Sequence, residues 1–190
     1  MAAHKLILHP VATELAADFP ATVQHCLEEL GVLGAPFELD GRRHHRTGDG
    51  FLGHFSFLGC SPYLELDPPD EPAAREEAAR LGRFCHIHLQ PRIGPPTLRC
   101  DANARPRCPA CRAAAPLARI RAGQEAPLPC PRCQAHWGPG DWLWRQGGGR
   151  AVFFLDIWGI HPAEVVPQTT LLEALAALGG SDWQYFYLRE

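Results

Sequence analysis

Two short cysteine pairs carry the clearest chemistry in this chain: Cys108-Pro109-Ala110-Cys111 and Cys130-Pro131-Arg132-Cys133, with 18 residues between them. Together they supply four thiolates, and their spacing falls within the window of a four-cysteine zinc site. Each pair turns the backbone tightly enough to aim both sulfurs at one centre at about 2.3 Å, and the proline after the first cysteine fixes φ where an extended path would part them. The segment 106–139 holds few large apolar side chains, chiefly Leu117, Ile120, Leu128 and Trp137. A metal is therefore expected to stand in for a core there, since structural zinc in small peptides contributes on the order of 10 kcal/mol.

The paired motif resembles zinc ribbons and the related rubredoxin-like knuckles over about a quarter of the chain. That resemblance implies a ligand role for Cys108, Cys111, Cys130 and Cys133 and says nothing about activity. Zinc is the expected metal and iron the alternative, because zinc needs no redox partner. Many members of that group place glycine just after each knuckle, whereas Arg112 and Gln134 occupy those places here.

Histidine supplies a second set of candidates. In Phe84-Cys85-His86-Ile87-His88-Leu89, alternation puts His86 and His88 on one face of a strand. If strands starting at Phe51 and at Ala151 join the same sheet, His54 and Asp156 reach that face, and His54, His86, His88 and Asp156 become a metal or acid/base site of a metal-dependent hydrolase. His44, His45, His136 and His161 complete the histidine-rich set. Gly48-Asp49-Gly50 and Gly147-Gly148-Gly149 lack the marks of a phosphate loop or dinucleotide fingerprint and read as turns, so no nucleotide cofactor is implied. Gly59-Cys60-Ser61-Pro62 has no base at fixed spacing and is not expected to be a nucleophile site.

Charge is unevenly distributed. Between Arg99 and Arg150 there are nine arginines against Asp101, Glu125 and Asp141, while the rest of the chain carries nine basic against eighteen acidic residues. Arg105, Arg107, Arg112, Arg119, Arg121 and Arg132 beside Trp137, Trp142 and Trp144 are candidates for RNA or single-stranded DNA, since arginine neutralises phosphate and aromatic rings stack on bases. Trp142 and Trp144 alternate, share a strand face and are expected to anchor the segment to the rest of the protein. The run from Lys5 to Leu8 is too short for a signal peptide and nothing approaches membrane-spanning length, so a reducing cytoplasm is expected. There Cys26, Cys60 and Cys85 read as buried thiols.

These residues need elements to position them. Lys5 to His9 reads as a strand, and Thr13 to Leu30 has helical spacing, with Pro20 dividing it or falling in the first turn of its second part. Phe37 to Asp40 and Phe51 to Cys60 read as strands, Ala73 to Leu81 as an exposed charged helix, and Arg83 to Gln90 as a strand. Ala151 to Ile160, Gln168 to Leu178 and Trp183 to Leu188 read as strand, helix and strand, a parallel crossover. The expected fold is α+β, a mixed sheet with helices whose first half runs β-α-β-β-α-β. Residues 1–98 and 146–190 form the body, and 99–145 an inserted zinc ribbon. The expected function is that of a zinc-binding, non-enzymatic adaptor with a protein or nucleic-acid partner, the hydrolase being the alternative.

Overall fold

The computed structural model describes residues 3–58, 64–123, 125–162 and 164–189; the readings placed on Cys60 and on the stretch 59–62 lie outside them. The fold is α+β, with four helices, one six-stranded antiparallel sheet and small two-stranded sheets among the described residues. In chain order the elements are β1 (His4–Pro10), α1 (Phe19–Glu29), β2 (Leu33–Leu39), β3 (Arg42–Thr47), β4 (Phe55–Phe57), α2 (Pro72–Arg80), β5 (His86–Leu89), β6 (Thr97–Cys100), α3 (Leu117–Arg121), β7 (Leu128–Pro129), β8 (His136–Trp137), β9 (Gly148–Ala151), β10 (Leu155–Trp158), β11 (Val165–Pro167), α4 (Thr169–Gly179) and β12 (Trp183–Arg189). The main sheet runs β12-β1-β10-β5-β3-β2. β10 and β12 both run antiparallel to β1, which lies between them. The strand–helix–strand crossover therefore exists, but it spans one intervening strand.

Alternation along the strands divides the sheet into two unlike faces. Leu6, Leu8, Ile87, Leu155 and Ile157 point to one side and bury against Val23 and Leu27 of α1 and Leu171 and Leu175 of α4. The other side carries Lys5, His44, His86, His88, Asp156 and Trp158, brought into line by the register: His88 lies opposite Asp156, and His86 and Lys5 both lie opposite Trp158.

The helices begin and end for local reasons. Pro20 falls in the first turn of α1, where a missing amide costs nothing, so the helix starts at Phe19 rather than Thr13. Glu71 caps α2 by accepting from the Ala74 amide at 2.8 Å, and Gly180 closes α4 at φ 62°.

Three local expectations are corrected. Phe51 to His54 is a 3-10 turn, and only Phe55–Phe57 is extended, pairing with β11 outside the main sheet. Phe51 and Phe55 are both buried with ring centroids 4.6 Å apart, so the packing of residues four apart overrides alternation. The apolar run from Ala151 breaks at 152–154, where the Val152 and Phe154 carbonyls accept from the amides of Gly94 and Gln90; β9 and β10 are thus separate strands. Gly148 and Gly149 lie in β9 rather than in a turn: a side chain at Gly148 would meet Cys100 Cβ at 2.7 Å and the Trp144 ring at 2.9 Å.

β6 and β9 pair with each other, Cys100 opposite Gly148 and Thr97 opposite Ala151, and so form a two-stranded stem. The chain leaves the body on β6, makes the cysteine-bearing excursion, and returns on β9. Among the described residues, no helix is long and apolar enough to cross a membrane.

Candidate metal centre and the polar sheet face

The two cysteine pairs fold into near-identical knuckles. In the first, the Arg112 amide donates to the Cys108 carbonyl at 2.9 Å and the Cys108 amide to the Ala113 carbonyl at 2.8 Å. In the second, Gln134 donates to Cys130 at 3.0 Å and Cys130 to Ala135 at 2.8 Å. Arg112 and Gln134 both sit at φ 60°, the left-handed region that glycine enters without penalty. The absence of glycine therefore does not change the knuckle backbone; two residues with side chains adopt it anyway.

The sulfurs converge. Cys108 and Cys133 Sγ are 3.7 Å apart, Cys111 and Cys130 Sγ 3.6 Å, and all four lie within 4.8 Å of one another. A tetrahedron with metal–sulfur bonds of about 2.3 Å has edges of about 3.8 Å, whereas a disulfide would bring two sulfurs to about 2.05 Å. The residues fit one four-coordinate cation. Thiols this close cannot all ionise unaided: burial opposes ionisation at Cys108, but neighbouring amides and thiols outweigh it and bring its pKa to about 6. At Cys133 the Ala135 amide favours ionisation, yet burial and the other three sulfurs win and push it up to about 12. A cation would resolve this conflict.

A small core backs the site. Ile120, Leu128, Trp142 and Trp144 bury with Ala104, Cys108 and Cys130, separate from the main apolar cluster. Trp142 and Trp144 are 2% and 6% exposed, so they pack inside the excursion rather than anchoring it to the body or facing a base. Attachment is polar: Arg99 forms a two-pronged ion pair with Asp156 at 2.7 and 2.9 Å, and Tyr187 and Arg189 of β12 donate amides to the Gln146 carbonyl and the Asp101 carboxylate at 3.0 Å.

Of the six arginines singled out, all are exposed. Arg121 is engaged, its Nη2 donating to the Asp101 and Ala102 carbonyls at 2.7 and 2.8 Å. Arg107 reaches the Arg112 carbonyl at 3.5 Å. Trp142 and Trp144 offer no exposed stacking platform; of the three tryptophans singled out, Trp137 alone is part-exposed.

On the polar sheet face the structure gathers His86, His88 and Asp156 but not His54. His54 lies in the turn before β4, where its Nε2 donates to the Leu30 carbonyl at 3.2 Å. His44 of β3 takes the place expected of it, with ring centroids 5.1 Å from His86 and 4.9 Å from His88. Sequence reasoning missed β3 because Arg42–Thr47 has no apolar alternation. The signal available was Asp40-Gly41, which forms the hairpin turn with φ 50° and 69°.

Burial dominates the protonation of these rings. Desolvation, reinforced by neighbouring His86, His88 and Lys5, takes His44 down to about 3; burial takes His86 to about 4 despite its bond to the Phe84 carbonyl, and lowers His88. All three are neutral imidazoles at pH 7. Asp156 is already held by Arg99 and lies 3.9 Å from Lys5 Nζ, which sits 3.6 Å over the Trp158 ring. Among the described residues, the four cysteines alone bring three or more His, Cys, Asp or Glu ligand atoms within 4.8 Å of one another. The histidine face does not gather in that way.

Cys85 is fully buried and its thiol pKa raised by desolvation, as a packing cysteine requires; Cys26 and Cys100 are half-buried.

No protein-family model, curated protein or solved structure matches this chain.

Proposed function

We propose that this protein is a zinc-binding adaptor in which residues 99–145 form a ribbon module, one zinc ion on Cys108, Cys111, Cys130 and Cys133 orders that module, and the module's surface engages an acidic partner. The sulfur separations of 3.6 and 3.7 Å carry the metal assignment, being close to the edge of a tetrahedral thiolate site. Zinc is favoured over iron because the chemistry asked of the ion is structural. The exposed Arg105, Arg107, Arg112 and Arg132 support an anionic partner, and the burial of Trp142 and Trp144 favours an acidic protein surface over RNA or single-stranded DNA. The hydrolase reading has less support, since Asp156 is committed to Arg99 and His54 is remote from the other histidines.

Elemental analysis of the purified protein tests the metal: one zinc per chain is expected, and a protein without metal whose cysteines are oxidised overturns the assignment. Titration with an acidic peptide and, separately, with single-stranded RNA tests the partner. Peptide binding that weakens with salt and with joint replacement of Arg105, Arg107 and Arg112 by glutamine is expected. RNA binding without peptide binding would transfer the assignment to nucleic acid.

A further inference from the structure

A cleft of about 880 Å³ opens over the polar sheet face, within the size range of sites for small molecules. Its walls come from elements far apart in the chain. Lys5 enters from β1, Glu38 from β2, Arg42 and His44 from β3, His88 from β5, Arg99 from β6 and Asp156 from β10. We propose that this cleft binds a small molecule through an oxyanion, a phosphate or carboxylate, seated between Arg42 and the His44–His88 pair.

Charge sets the sign of the ligand. Lys5, Arg42, Arg43 and Arg99 line the cleft against Glu38 and Asp156, and the Asp156 carboxylate is consumed by the Arg99 fork and by Lys5. A bare cation has no comparable set of converging oxygens or nitrogens, because the ligand atoms of His44, His86, His88 and Asp156 do not cluster.

His44 supplies a second, independent observation. It is 4% exposed, lines the cleft, and its Nδ1 is buried without a hydrogen-bond partner. Such an unpaired nitrogen is unfavourable, and an acceptor bound within its reach would pair it. Neutral His44 and His88 each present an N–H donor, and Arg42 adds a charged donor from the same face of β3. Leu89, Pro95 and Phe154 on the wall offer apolar contact to whatever carries the anionic group. The site is separate from the four cysteines and does not depend on the metal assignment.

The test uses the full, metal-loaded chain and phenyl phosphate, with inorganic phosphate and benzoate as parallel arms. The ring resonances of His44 and His88 are followed by NMR. Phenyl phosphate is expected to shift both rings at concentrations of about 1 mM, and to bind more tightly than inorganic phosphate because of the apolar wall. Arg42→Gln should weaken binding about tenfold, and Arg83→Gln, on an exposed loop elsewhere, should leave it unchanged. Rings that stay unmoved at about 10 mM of all three probes would overturn the proposal. So would equal shifts in Arg42→Gln, with the fold of that variant verified by its amide spectrum.

Discussion

In the body, Leu6, Leu8, Ile87, Leu155 and Ile157 form one continuous buried face under α1 and α4, joined by Phe19, Phe153 and Trp183. Around the cysteines, by contrast, the buried apolar side chains are Ala104, Ile120, Leu128, Trp142 and Trp144, and two of the cysteines are counted among the core itself. The body spreads its cohesion over many contacts, each replaceable in part by its neighbours. With the proposed metal on the four sulfurs, the excursion concentrates its cohesion at one point. Loss of a single contact should therefore grade the first and abolish the second.

The largest effect expected is from removing the proposed ion. Chelation, or Cys108→Ser, should cost the excursion on the order of 10 kcal/mol of ordering free energy while the β1, β5 and β10 amides keep their protection in hydrogen exchange. Simultaneous loss of protection in both regions would erase the contrast, because the Arg99–Asp156 bridge and the β6–β9 stem would then be integral to the body. Next comes Phe153→Ala, which removes a fully buried ring packed edge-on to Phe19 and Trp183. It should lower the body's stability to urea by about 3–5 kcal/mol without changing metal content.

Acid sharpens the comparison from the body's side. Burial holds His44 at about 3 and His86 at about 4, against about 6.5 in an unfolded chain. Below pH ~6.5 the unfolded state takes up protons that the fold refuses, so stability present at neutral pH is lost as pH falls towards about 4. A loss on the order of 4 kcal/mol between pH 7 and 5 is expected in urea titrations, and replacing both histidines with phenylalanine should shrink it, the remainder coming from His9, His45 and His88, which burial also lowers. The smallest effect belongs to the knuckles. Gln134→Gly relieves a side chain held at φ 60° and should raise the temperature of metal-dependent unfolding, a gain of about 0.5–1 kcal/mol.

How much of this was legible beforehand depends on the range of the interaction. β1, β5, α2, α4 and β12 follow from alternation or helical spacing, and the sulfur cluster from two local motifs with a fixed separation. β3 escaped because Arg42-Arg43-His44-His45-Arg46-Thr47 is extended by its neighbours β2 and β5 rather than by its own pattern. His44 escaped with it. The Arg99–Asp156 pair joins residues 57 apart in sequence, and no local spacing announces such a contact. His54 was misplaced because Phe51 and Phe55 pack on each other in a turn, which moves the intervening ring away from the sheet.

The Gln146 carbonyl and the Asp101 carboxylate lie against the outer amides of β12, the strand that ends the main sheet. The cysteine-bearing excursion thus doubles as a guard rail on an otherwise open margin. A shortened chain with Cys100 spliced to Gly148 would strip that margin bare and invite a second copy to zip onto it, so its failure in solution would be self-association rather than unfolding.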